Sequence, residues 1–216
     1  MANFRVRYLG EQNYQTVLAE QQAYTRARSP EDPDELWVVS HPPVFTLGQA
    51  GKIEHIIAAG DIPVVRSDRG GQVTYHGPGQ VVVYTLLNVK RLGLGVKALV
   101  TSLESAVIAC ISDLGLKAER RPGAPGVYIG PRKIAALGLR ISRGYSYHGL
   151  SFNVGMDLQP FSRINPCGHV GLEVTDLAAE GVNTTTANIE QALLTELQAK
   201  LSTGTTFKRD LIRLER

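Results

Sequence analysis

Residues 62–87, IPVVRSDRGGQVTYHGPGQVVVYTLL, hold three β-type runs, 62–66, 72–76 and 80–87, separated by the glycine-rich breaks RGG and GPG. Breaks this short leave no room for crossover helices, so the stretch predicts a sheet with short antiparallel connections. Upstream, Phe4, Val6 and Tyr8 alternate with Arg5 and Arg7 as a half-buried strand does, and Tyr14, Val17, Leu18 and Tyr24 then recur at helical spacing. A polar, proline-broken connection at 29–35 precedes two more β-type runs, 36–39 and 44–47, between which Pro42 and Pro43 call for an edge or a bend. Downstream, Val96, Leu99, Val100, Leu103, Val107, Cys110 and Leu114 form one stripe of a long helix ended by Gly115. Runs 127–129 and 133–141 flank Gly130 and Pro131 as a hairpin, 145–154 supplies another strand, and a helix at 187–201 closes the pattern.

These elements define an α+β fold with a mixed, largely antiparallel central sheet flanked by helices. No repeat, low-complexity tract or composition break divides the chain, so residues 1–216 are expected to form a single domain, with the last fifty residues as the one stretch able to form a separate lobe. Hydrophobic residues make up 43% and charged residues 20% of the 216, the composition of an ordinary globular chain rather than a disordered or fibrous one. The net charge of +3 lacks the concentrated basic stripe that a phosphate backbone requires, which argues against nucleic acid as a partner. No apolar run has the length of a signal peptide or a membrane span, so a cytoplasmic location away from membranes is expected.

Two cysteines, Cys110 and Cys167, are too few for a disulfide framework or a cysteine-rich zinc site, and Cys167 with His169 would supply only two ligands, so no metal is expected. Cys110 sits on the apolar stripe and reads as a small buried hydrophobe. Cys167, in NPCGH within the irregular stretch 155–171, reads either as an inert loop thiol or as a nucleophile. A nucleophilic thiol needs a base or cation beside it: His76, His148, His169 or a desolvated lysine. Lys133, at the start of the apolar strand KIAALGL, is such a lysine, unless it merely snorkels from a strand end. The segment RSDRGGQVTYHGPGQ (66–80) offers glycines that let a ligand touch backbone, or else two tight turns; its spacing is not that of a nucleotide-binding loop.

Taken together, RGGQVTYHGPGQ (69–80), RKIAALGLR (132–140), YHGLSFNV (147–154) and NPCG (165–168) resemble the bacterial octanoyltransferase family, in that family's order and spacing and across nearly the whole chain. The resemblance implies the fold of biotin and lipoate protein ligases, related to the class II synthetase core. It implies an enzyme that moves an octanoyl group from octanoyl-acyl carrier protein to a lysine of lipoyl domains, those of 2-oxoacid dehydrogenase complexes and the glycine cleavage H protein. It makes Cys167 the acyl-thioester nucleophile and Lys133 its partner in a cysteine–lysine dyad. It also makes Arg69, Gly70, Gly71, Gln72, Val73, Thr74, Tyr75 and His76, together with Ala136, Leu137, Gly138, Gly149, Leu150 and Ser151, the walls of the acyl pocket. Many members have alanine where this chain has Ser151, a hydroxyl that the resemblance places near the dyad.

One thioester exchanges for another of similar energy, so neither ATP nor any other cofactor is expected, and capture by an amine then runs downhill. The chain is expected to act as a monomer, and Arg120, Arg121, Arg132, Arg140 and Arg143 are candidates for steering its acidic protein partners, against the alternative of an ordinary solvated surface. Competing readings are an ATP-dependent lipoate or biotin ligase of the same fold, a non-catalytic module binding acyl carrier or lipoyl domains, and a cysteine hydrolase.

Overall fold

The computed structural model describes residues 4–166 and 171–214, with side chains up to residue 202. The chain opens with strand β1 (Arg5–Glu11) and helix α1 (Tyr14–Ala27), followed by β2 (Glu35–Ser40), which lies parallel to β1. A parallel pair needs a helical crossover, and α1 provides it; Asn13 starts that helix by accepting the N–H groups of Gln15 and Thr16 at 2.9 and 3.3 Å. The remaining strands are β3 (Val44–Leu47), β4 (Val64–Arg66), β5 (Val73–His76) and β6 (Gln80–Leu86), then β7 (Glu119–Arg121), β8 (Ala124–Ile129), β9 (Arg132–Ser142) and β10 (Tyr145–Asn153). Helix α2 (Val96–Asp113) links β6 to β7, and α3 (Thr186–Leu214) follows the long connection after β10.

Seven strands form one sheet in the order β1-β2-β6-β10-β9-β8-β7, antiparallel except for β1 and β2, and three form a second in the order β4-β3-β5. The mixed, largely antiparallel architecture is the predicted one. Alternation along β2 and β6 splits the apolar side chains of the large sheet between its faces. Leu36, Val38, Val81 and Val83 join α2 and α3 in the main core, whereas Trp37, Val39, Val82 and Tyr84 join Val17 of α1 on the other side. Leu193, Leu194, Leu197 and Leu201 of α3 belong to that main core, so the C-terminal helix packs on α2 and does not form a lobe of its own.

The stretch 62–87 departs from its expected meander. Strands β4 and β5 do not pair with each other but flank β3, β4 parallel and β5 antiparallel, and β6 leaves for the centre of the large sheet. Burial explains the split. Every residue of β6 is buried, which only a strand covered on both faces can achieve, whereas Val73 and Tyr75 of β5 pack with Phe45, Leu47, Phe161 and Ile164 under the small sheet. The RGG and GPG breaks are therefore not hairpin turns. Pro42 and Pro43 mark the bend where the chain passes from the large sheet to the small one, not a sheet edge, since β2 lies between β1 and β6. The strand β7 was not anticipated.

Candidate active site

A cleft with about 730 Å³ of open space, the solvent at its mouth included, lies between the two sheets. One wall is formed by β9, β10 and β6 of the large sheet, the other by β5 and the loop 69–72. Of the predicted pocket residues, Arg69, Gly71, Gln72, Val73, Thr74, His76, Ala136, Leu137, Gly138, Gly149, Leu150 and Ser151 line this cleft together with Lys133. Gly70 and Tyr75 do not. Gly70 donates its N–H to the Leu139 carbonyl at 3.0 Å, docking the loop on β9, and the ring of Tyr75 packs against Phe45 and Phe161 in the small-sheet core.

The glycines owe their identity to backbone approach as much as to a ligand. A Cβ on Gly138 would lie 2.8 Å from the Gly70 carbonyl, and one on Gly149 would lie 2.0 Å from the Val83 carbonyl of the adjacent strand. Arg69 is buried and holds the loop's shape: its guanidinium donates to the Thr46 carbonyl at 2.7 Å, the Thr46 hydroxyl at 2.9 Å, the Gln72 carbonyl at 2.7 Å and the Gly70 carbonyl at 3.0 Å.

Lys133 is 4% exposed, and its Nζ donates to the Pro125 carbonyl at 3.0 Å and stands 5.2 Å from the centre of the Tyr128 ring. It is not a snorkelling lysine. Its own backbone is clamped by the connection after the 3₁₀ turn Gln159–Arg163: its N–H donates to the Glu173 carbonyl at 2.9 Å and its carbonyl accepts from Thr175 at 3.0 Å. Ser151 pairs across the sheet with Ala136, three residues along β9 from Lys133. Cys167 and His169 lie outside the described residues, but Pro166, immediately before Cys167, lines the cleft with Lys133 and Val174. Cys110 lies on the buried face of α2, where burial pushes its thiol up to about 12, as an inert cysteine requires.

From Lys133 to Gly138 the cleft follows β9 for roughly 17 Å, at about 3.4 Å per residue. Four lining residues escaped the sequence reading: Tyr84, which lies toward the far end with the His148 ring left without a role, Tyr14, and the cross-strand pair Gln80 and Asn153, which the register places near Lys133. They form a buried polar network. The Tyr84 hydroxyl and His41 Nε2 are 2.7 Å apart, His76 Nδ1 and Gln80 Oε1 2.8 Å, and Gln80 Nε2 donates to Asn153 Oδ1 at 2.9 Å. Tyr14 stacks on His76 and shares a hydrogen bond with Ser67 at 2.8 Å. Burial pushes His76 down to about 3 and also lowers His41 and His148, so all three rings are neutral at neutral pH. His148 Nε2 donates to the Asp68 carboxylate at 2.7 Å, which fixes the tautomer and leaves Nδ1 as a bare acceptor, with no partner among the described residues. The signal for this network was present in the sequence only as scattered aromatic and amide residues on four different elements.

The arginines proposed for steering fall into two groups. Arg120, Arg121 and Arg132 stand on β7 and at the start of β9, beside Lys133, with Arg132 paired to Glu180 at 2.9 Å; Arg140 and Arg143 lie at or beyond the opposite end of β9. Among the described residues no three His, Cys, Asp or Glu side chains cluster as metal ligands, and no helix is long and apolar enough to cross a membrane.

A buried lysine at one end of an apolar, strand-lined cleft, with a polar network running along its wall, invites comparison with known proteins. Residues 13–198 match the lipoyl protein ligase A/B catalytic domain family. The octanoyltransferase of Alkalilimnicola ehrlichii is 55% identical over 193 residues, covering 89% of this chain and 90% of that protein. The chain belongs to the octanoyltransferase family. The octanoyltransferase of Citrobacter koseri is 54% identical over 197 residues, 91% of this chain and 92% of its own. Among solved structures, lipoate-protein ligase A bound with ATP superposes with a TM-score of 0.79 over 92% of this chain and 85% of its own, at 18% identity. The Aquifex aeolicus biotin protein ligase in complex with biotin and ATP gives 0.62 over 94% and 72%, at 12% identity. These two speak for the fold, and the fold is the one the motifs implied.

Proposed function

We propose that this octanoyltransferase family member takes an octanoyl group from octanoyl-acyl carrier protein onto Cys167 as a thioester and passes it to a lysine of a lipoyl domain. The observation that carries the reading is the shared position of Lys133 and Pro166 at one end of an apolar cleft long enough for an extended acyl chain and its thioester. Cys167 is the next residue in the sequence. In the first half-reaction the neutral Lys133 takes the Cys167 proton, the thiolate attacks the donor thioester carbonyl, and Lys133 returns the proton to the departing carrier thiolate, which leaves as a thiol. In the second, Lys133, neutral again, accepts a proton from the incoming lysine amine as it attacks the acyl-cysteine and passes it to the departing Cys167 thiolate, so the thiol is restored as the amide forms. The acyl chain lies along Ala136, Leu137, Gly138, Gly149 and Leu150, with Gly71, Gln72, Val73 and Thr74 as the opposite wall. Arg120 and Arg121 on β7 and Arg132 next to Lys133 steer acidic partners, so transfer rates fall as ionic strength rises.

Intact-protein mass after brief mixing with octanoyl-acyl carrier protein, without ATP, tests the reading. Wild type gains one octanoyl group that a lipoyl domain discharges, and Cys167→Ser gains none. Absence of an adduct together with ATP-dependent modification of the lipoyl domain from free fatty acid would overturn it in favour of a ligase.

A further inference from the structure

The carbonyl that receives Lys133 Nζ belongs to a peptide group whose other end is also held. Pro125 O accepts from Nζ at 3.0 Å, and the N–H of the same peptide plane, on Gly126, donates to Glu104 Oε1 at 2.9 Å. In a trans peptide the C=O and N–H point in opposite directions and cannot turn independently, and no peptide bond among the described residues is cis. Glu104 on α2, the Pro125–Gly126 peptide and Lys133 thus form one line. Two further observations suit that line. Gly126 has φ +139°, and a Cβ there would lie 2.9 Å from Lys133 Cε and 2.8 Å from the Ala135 carbonyl, so the lysine stem crosses the peptide where only glycine fits. Glu104 is only 6% exposed, on a helix whose buried face is otherwise apolar, and its second oxygen faces Arg120 Nε at 3.4 Å.

We propose that Glu104 is a positioning residue for Lys133, acting through the Pro125–Gly126 peptide to aim Nζ into the cleft and to favour its ammonium form. A carboxylate on an amide N–H makes the opposite carbonyl a stronger acceptor, and a cation on that carbonyl strengthens the bond at the other end. Arg120 opposes the effect by drawing charge from the same carboxylate. The other charged or titratable groups around Lys133 are Tyr128 on β8, the Arg132–Glu180 pair, and Glu173 and Asp176 in the connection that clamps its backbone; Cys167 and His169 lie in the adjoining segment outside the described residues. Glu104 reaches Lys133 through a single rigid group, the Pro125–Gly126 peptide. The inference rests on the reading of Lys133 as the partner of the acyl-accepting thiol only for its effect on rate, not for its effect on Lys133 itself.

The test separates the two. The full chain, labelled with ¹³C at lysine Cε and assigned with Lys133→Arg, is titrated by NMR, and the pH profile of kcat/KM for octanoyl transfer is measured on the same preparations. A unit charge about 8 Å away at an effective dielectric of ~20 moves a pKa by roughly one and a half units, so Glu104→Gln lowers the Lys133 midpoint by up to about that much. Arg120→Ala, a change at a half-exposed side chain, raises it. The limb of the rate profile set by Lys133 moves with each, which is up to about thirtyfold in rate at a pH on that limb. If Glu104→Gln does not fold, the sign of the Arg120→Ala shift decides. A Lys133 midpoint that stays in place in the folded variants overturns the proposal. A midpoint that moves while the rate profile does not upholds the link from Glu104 to Lys133 and removes Lys133 from the chemistry.

Discussion

The two ends of the cleft are built on opposite principles. At one, the buried Lys133 amine is held by a backbone carbonyl and an aromatic face. At the other, His41, His76, His148, Tyr14 and Tyr84 are knitted together by side-chain hydrogen bonds and ring contacts, with Gln80 and Asn153 carrying the network back toward Lys133, and these three histidines are neutral at neutral pH. The first arrangement keeps a titratable group where a substrate can reach it. The second spends its polar groups on one another, which makes a rigid wall but leaves little reactivity. A cleft that must place a long apolar chain needs both, a reactive end and a fixed stop, and the sheet register between β9 and β10 sets the distance between them.

The largest effect follows from the reactive end. Lys133→Ala removes the proposed proton acceptor and is expected to lower octanoyl transfer by ~10²–10⁴-fold, while far-ultraviolet circular dichroism stays that of the wild type. Rates within a factor of a few of wild type would break the contrast by showing that the lysine only fills space.

The neutral end predicts an acid weakness. His76 titrates at about 3 in the folded chain, and an unfolded histidine near ~6.5, so between those values the unfolded state takes up a proton that the folded state does not. Stability is therefore complete above pH ~6.5 and falls as the pH drops, by up to about 1.4 kcal/mol per pH unit for each such ring, with His41 and His148 acting in the same direction. Urea midpoints measured at pH 7 and 4.5 check it, with His76→Gln shrinking the difference. Equal midpoints at the two pH values in wild type would mean the rings are not held neutral.

How much of this was legible in the sequence differs between the ends for a physical reason. Lys133 announced itself because a charge at the head of an apolar strand is locally anomalous, whereas Cys167 lies outside the described residues. The helix stripes and most strands also followed from periodicity. The path of 62–87 did not, because pairing partners are chosen by which faces get covered: β6, apolar on both, is drawn to the sheet centre, and no local pattern states that β4 and β5 must lie either side of β3. The histidine–tyrosine network was hidden for the same reason. Tyr14, His41, His76, Tyr84 and His148 come from five separate segments and acquire meaning only when the two sheets face each other.

Asp68 gives the smallest effect and the finest test of the division. Its carboxylate accepts from His148 Nε2 at 2.7 Å, from the Tyr147 hydroxyl and from Gln22 Nε2 at 3.2 Å. Burial raises its pKa, but those donors outweigh burial and hold it at about 2. With the folded value depressed, the stabilisation is present above the unfolded carboxylate's ~3.9 and is lost as the pH falls toward about 2. Asp68→Asn keeps one acceptor and turns an N–H toward groups that need oxygen, at a cost of about 1 kcal/mol once partial exposure is allowed for. Urea unfolding at pH 7 reads that loss, and the gap between the two chains narrows at pH 2. Octanoyl transfer by Asp68→Asn should stay within about tenfold of wild type, because it loosens the orientation of His148 at the closed end and leaves Lys133 untouched. A loss as deep as that of Lys133→Ala would carry His148 into the chemistry and dissolve the distinction between the two ends.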